Sequence, residues 1–137
     1  MGLILDSSVA IAAERRGDTV QAFLQRVIDT AGDQEAALSP VSVVELVHGV
    51  HRAHTAERRA RREAFVEELL STVAIYPLTT DIARLAGKLD AEQQSRGIVV
   101  PFADLLIGAT ALSLGYSVLT VNARHFGRIP GLSVIEL

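Results

Sequence analysis

Pro101-Phe102-Ala103-Asp104-Leu105-Leu106-Ile107-Gly108-Ala109-Thr110-Ala111-Leu112-Ser113-Leu114 runs directly into Gly115-Tyr116-Ser117-Val118-Leu119-Thr120-Val121. The first run carries a single charge, Asp104, and opens on a proline suited to a helix start. It predicts a helix over 102–114 that is apolar on every side and therefore central and buried. Gly115-Tyr116-Ser117 reads as a turn, and 117–121 as a buried strand. An acid in the first turn of such a helix is expected near the carboxyl edge of a sheet. Leu105 to Ala123 is also 19 residues without a charge, long enough to raise a membrane span. Thr110, Ser113, Ser117, Thr120 and Asn122 interrupt it, and the turn divides it, so a helix and a strand fit better.

The rest of the chain repeats this alternation. Met1 to Asp6 is an apolar strand ending on an acid, and Ser7 or Ser8 is expected to cap a helix to about Arg16. Asp18 or Thr19 caps the next helix, whose Val20, Phe23, Leu24, Val27 and Ile28 recur at helical spacing up to Gly32. A strand at 36–39 leads to Pro40 and a broadly apolar helix through Val50. A charged helix spans 56–70 and a strand 73–78. Thr79 or Thr80 then caps a helix to about Arg96, and a short turn of helix at 122–126 and a strand at 133–136 follow the central pair. Short strands alternating with helices predict an α/β fold with a parallel sheet. The length of 137 residues predicts one domain, 1–137.

Composition narrows the chemistry. There is no cysteine, which removes disulfides, thiolate metal sites and cysteine nucleophiles, and suits a cytoplasmic protein. Net charge is −3, so contact with nucleic acid must come from a local patch. Asp6 interrupts the apolar N-terminus, which lacks a basic stretch, so no secretory signal is expected. Neither a Walker loop nor a G-x-G-x-x-G run is present.

Three acids sit beside strand ends or helix starts on apolar elements: Asp6, Glu45 and Asp104. Singly, each is explained by helix-start electrostatics, Asp6 as an N-cap and the other two as first-turns acids favoured by the dipole. Together they would raise one another's pKa at one low-dielectric edge. A divalent cation relieves that, and oxygen-only ligands point to Mg²⁺ or Mn²⁺. A phosphatase with Asp6 as nucleophile is the rival enzyme reading, but it wants an acid where Ser8 stands.

Four blocks in order carry a resemblance. Leu3-Ile4-Leu5-Asp6-Ser7-Ser8, Pro40-Val41-Ser42-Val43-Val44-Glu45-Leu46, Pro101 to Ala111, and Leu119-Thr120-Val121-Asn122-Ala123-Arg124-His125-Phe126 together resemble PIN domains. Length and the lack of an added domain resemble the VapC-type toxins of bacterial toxin–antitoxin pairs. The resemblance implies a three-layer α/β/α sandwich with a mainly parallel sheet. It implies an Mg²⁺- or Mn²⁺-dependent endoribonuclease that hydrolyses RNA phosphodiester bonds by metal-activated water. It also implies a small antitoxin partner, a homodimer and no membrane association. Asp6, Glu45 and Asp104 are then the catalytic residues, Asp6 and Asp104 the metal ligands, and Ser7, Ser8 and Asn122 their supports. The fourth block departs from the family, which often carries an acid where Asn122 or His125 stands. That departure motivates the alternative of a catalytically impaired PIN fold that binds RNA or a partner.

His48, Arg124, His125 and Arg128 are candidate RNA contacts, with His125 open between a metal ligand and a phosphate contact. His48, His51 and His54 follow Glu45 at helical spacing, but the second Glu-x-x-His of a di-iron bundle is missing. For the basic segment His51 to Arg62, solubility, antitoxin docking and RNA binding compete.

Overall fold

Strand β1 (Gly2–Leu5) is buried at every residue and occupies the middle of the sheet. The computed structural model describes residues 1–137. β2 (Glu35–Leu38) lies on one side of β1 and β4 (Ser117–Thr120) on the other. β3 (Ala74–Ile75) and β5 (Val134–Glu136) form the edges, in the order β3-β2-β1-β4-β5. Every pairing is parallel. Ile4 faces Ala37 on one side and Val118 on the other, and Leu5 faces Leu119. A strand covered on both sides needs a continuous apolar run, which Leu3-Ile4-Leu5 supplies.

Alternation along β1 separates two cores. Leu3 and Leu5 pack into one with Val9, Phe23, Leu38, Leu46, Phe65 and Leu69. Apart from Leu38 of β2, these come from α1 (Ser7–Arg15), α2 (Val20–Ala31), α3 (Pro40–His51) and α4 (Ala56–Thr72). Ile4 packs into the other with Ile82, Leu89, Leu105, Ile107, Val118 and Phe126, drawing on α5 (Thr80–Gln94), α6 (Phe102–Leu114) and α7 (Ala123–Phe126). This is the expected three-layer α/β/α sandwich. Thr19, Ser39, Thr55 and Thr79 cap α2 to α5 through their hydroxyls. Gly115, at φ 69°, ends α6 in the left-handed conformation glycine tolerates, and so splits the long uncharged stretch into helix and strand. No helix is long and apolar enough to cross a membrane.

Two expectations shift. The strand expected over 73–78 pairs only at Ala74–Ile75, because it is an exposed edge and Pro77 has no N–H for a ladder. The first helix is capped neither by Ser7 nor by Ser8: Asp6 occupies the N-cap position, and its side chain caps nothing.

The strand order reverses between β1 and β4. In open parallel sheets that switch point opens a crevice at the carboxyl ends of the strands. Asp6 and Thr120 stand there, one residue past Leu5 and Leu119. Leu5→Ala, a truncation of a wholly buried side chain, is expected to lower unfolding free energy by about 2–5 kcal/mol in urea titration. Val44→Ala, on the exposed face of α3, is expected to change it by no more than about 0.5 kcal/mol. Equal losses would contradict the assignment of Leu5 to the core.

Candidate active site

The Asp6 backbone N–H donates to Leu119 O at 2.9 Å, carrying the β1–β4 pairing one residue further. Its side chain, only 6% exposed with the residue, is thereby set against β4. Asp6 Oδ2 accepts two hydroxyls, Ser8 Oγ at 2.6 Å and Thr120 Oγ1 at 2.9 Å. Each hydroxyl accepts a backbone N–H in turn: Val121 N donates to Ser8 Oγ at 3.2 Å, and Asn122 N to Thr120 Oγ1 at 2.9 Å. A hydroxyl has one hydrogen. Both are committed to Asp6, so the 3.3 Å approach of Ser8 Oγ to Thr120 Oγ1 adds no further bond. The clamp holds one carboxylate oxygen and leaves Oδ1 without a protein donor.

Glu45 and Asp104 approach from the neighbouring helices. Ser7 Oγ donates to Glu45 Oε1 at 3.0 Å, tying α1 to α3. Burial pushes the Glu45 carboxyl above its ordinary range; the Ser7 bond opposes this, and the charges of Asp6 and Asp104 add to it. Burial likewise raises Asp104, the Asp6 charge adds to the rise, and His125 opposes it. His125 Nδ1 lies 3.3 Å from Asp104 Oδ2. The three carboxylates therefore feel one another, and neither Asp6 nor Glu45 has a cationic partner. The Asp6 charge reaches both other carboxyls, yet no group of three acidic or imidazole side chains is arranged in this structure to hold a metal ion. An all-oxygen set with a free Oδ1 and two carboxyls strained by burial and like charge is the kind a hard divalent cation takes.

The other expected residues divide. Ser8 supports Asp6, whereas Ser7 supports Glu45. Asn122 contributes its backbone N–H to Thr120; its side chain is exposed and makes no hydrogen bond. His125 contacts an acid rather than standing free. His48 and Arg124 are exposed. Arg128 Nη1 donates to Val99 O at 3.3 Å, and its carbonyl accepts from the buried Gln93 Nε2 at 2.7 Å. Thr120 was not anticipated. Its signal is a hydroxyl at the end of an apolar strand, and it becomes legible only once the Leu5–Leu119 register sets it beside Asp6. The largest concavity, about 930 Å³, lies elsewhere, where the α1–α2 turn meets α4.

The PIN domain model matches residues 3–132, and the chain belongs to the PIN-domain family. Within it, the chain is similar to Ribonuclease VapC1 of Rickettsia felis, 33% identical over all of this chain and 97% of that one. Its fold is similar to that of VapBC2 from Rickettsia felis, solved bound to a promoter DNA fragment, with TM-score 0.84, 21% identity, and 99% and 98% of the two chains covered. It is also similar to VapBC-5 of Mycobacterium tuberculosis, from the VapBC family of toxin–antitoxin systems. There the TM-score is 0.75 and identity 27%, over 100% of this chain and 98% of the other.

The raised carboxyls make metal-free stability depend on pH. Glu45 and Asp104 keep their protons to higher pH in the folded chain than in the unfolded one. From the ordinary values of 4.5 and 3.8 up to the raised ones, folding takes up protons. Stability therefore falls as pH rises through that window and stays lowered above it. Asp104→Asn keeps an acceptor for His125 and removes a charge, so its Tm in EDTA at about pH 7 is expected to exceed the wild type's. The gain should shrink as pH falls toward about 4. A lower Tm at every pH would mean that Asp104 is a structural acid.

Proposed function

We propose that this chain is a metal-dependent endoribonuclease and the toxin half of a toxin–antitoxin pair. The observation that carries it is the Asp6 clamp: a buried carboxylate held through one oxygen, with the other free, facing two acids whose pKa it raises. The match to Ribonuclease VapC1 and the likeness to a toxin–antitoxin system support the substrate class and the antitoxin protein partner.

In this proposal Asp6, through its free Oδ1, and Asp104 would hold Mg²⁺ or Mn²⁺. When bound, the cation supplies the charge that activates water and offsets the scissile phosphate. Ser8 and Thr120 fix Asp6 so that Oδ1 need not reorganise. Glu45, with Oε1 occupied by Ser7, has Oε2 as the atom that takes the proton of the attacking water, and its raised pKa suits that task. Water oxygen attacks phosphorus, the P–O3′ bond breaks in line and the departing O3′ takes a proton from solvent, leaving a 5′-phosphate and a 3′-hydroxyl. His125 Nδ1, 3.3 Å from Asp104 Oδ2, steadies that carboxylate.

Purified protein is expected to cut single-stranded RNA with Mg²⁺ or Mn²⁺ and to stop in excess EDTA. Asp6→Asn and Asp104→Asn should reduce cutting to background. Undiminished cleavage in EDTA would rule out the metal, while background activity in wild type and Asp104→Asn alike would favour a protein that only binds RNA. Thr120→Val separates support from bulk, since it keeps the shape and removes the donor. About a 10- to 100-fold loss of activity is expected, with recovery in Thr120→Ser. Activity equal to wild type in Thr120→Val would remove the clamp from the mechanism.

A further inference from the structure

Phe102 is 73% exposed, whereas Phe23, Phe65 and Phe126 are buried. It opens α6 two residues before Asp104, on the rim of the candidate site. A single exposed apolar ring is ordinary on a protein surface, so Phe102 points to an occupant only through what surrounds it. The surroundings say which. The segment 125–128 touches the chain on both sides of Phe102: His125 Nδ1 reaches Asp104 Oδ2, and Arg128 Nη1 reaches Val99 O. The same segment is anchored from beneath by Gln93, 4% exposed, through the Arg128 carbonyl. Phe102 is thus bracketed by a stretch bearing Arg124, His125 and Arg128. Arg124 is in no ion pair or hydrogen bond, and Arg128 is in no ion pair.

We propose that Phe102 is the platform on which a nucleobase of the RNA stacks next to the scissile phosphate, with Arg124 and Arg128 meeting the adjoining backbone. The inference rests on the ribonuclease reading and adds to it a specificity-determining residue. One ring face and a few guanidinium groups match what single-stranded RNA presents, a planar base every sugar-phosphate step. A protein partner would want a wider apolar area than Phe102 and the nearby exposed Val99 offer. Because every base has a π-face, the platform selects single-stranded over paired RNA and only weakly among bases. It acts through binding and leaves the carboxylate geometry untouched.

The chain has no tryptophan, so Phe102→Trp introduces one emitter at the position in question. An Asp6→Asn background blocks cutting and relieves one carboxylate's repulsion of the probe. In it, a short single-stranded oligoadenylate is expected to quench the indole, and an abasic sugar-phosphate of equal length to leave it bright. Anisotropy of the labelled oligoadenylate reads affinity independently. Phe102→Ala should weaken binding roughly five- to a hundredfold with unchanged Tm, and Phe102→Trp should restore it. RNA that binds equally well to Phe102→Ala, or binds without quenching the indole, overturns the platform and leaves the ribonuclease reading standing. An emission that blue-shifts with protein concentration in the absence of RNA overturns it in favour of a second copy of the chain. Absence of RNA binding in every variant overturns the ribonuclease reading and the platform with it.

Discussion

The Asp6 carboxylate is withdrawn from water, and a withdrawn charge must be met by donors or neutralised. Here two hydroxyls meet one of its oxygens, and each hydroxyl is aligned by a backbone N–H of the segment just beyond β4. That arrangement exists only if β1 and β4 are neighbours in parallel with Leu5 opposite Leu119. Shifting the register by one residue would turn Thr120 to the other face and send Leu3 and Leu5 out of their core. The apolar packing on both sides of β1 and the polar clamp at its end therefore specify the same pairing.

The helices that follow the strands make the acidic edge tolerable. α1, α3 and α6 begin at that edge, each with the positive end of its dipole there. Asp104 lies in the first turn of α6 and Glu45 in the second turn of α3. That places Asp104 within reach of the α6 dipole and Glu45 beyond the reach of the α3 dipole. Burial, with the neighbouring like charges adding to it, raises both carboxyls in pKa.

Much of this was legible in the sequence. The uncharged run from Leu105, the glycine that divides it and the acids at element boundaries give the layer order, and place Asp6, Glu45 and Asp104 on one edge. What was not legible depends on distance across the chain. Thr120 reads as an ordinary strand residue until register is known, and Ser7 and Ser8 look interchangeable. Successive helical positions point about 100° apart, so one serine meets Glu45 on α3 and the other meets Asp6. His125 stays open between a metal ligand and a phosphate contact because nothing local reveals that α7 packs beside the start of α6. The strand expected at 73–78 fails for a related reason, since an edge has one neighbour to pair with and Pro77 cannot donate.

An acidic protein that acts on a polyanion must confine its attraction to a small area. The cleft between α1 and α4 is rich in arginine, yet Glu14, Asp18 and Glu68 line it too. Arg16 and Arg62 are paired with Asp18 and Glu14 there, so much of its field cancels internally. The segment Arg124 to Arg128 differs, because its one acidic contact is Asp104, which the proposed function assigns to a cation. In that proposal a bound cation would offset the charge of Asp104 and leave the field of Arg124 and Arg128 uncompensated. The attraction for RNA phosphate would then be strongest when the acidic centre is loaded, which couples substrate capture to a site ready to act on it.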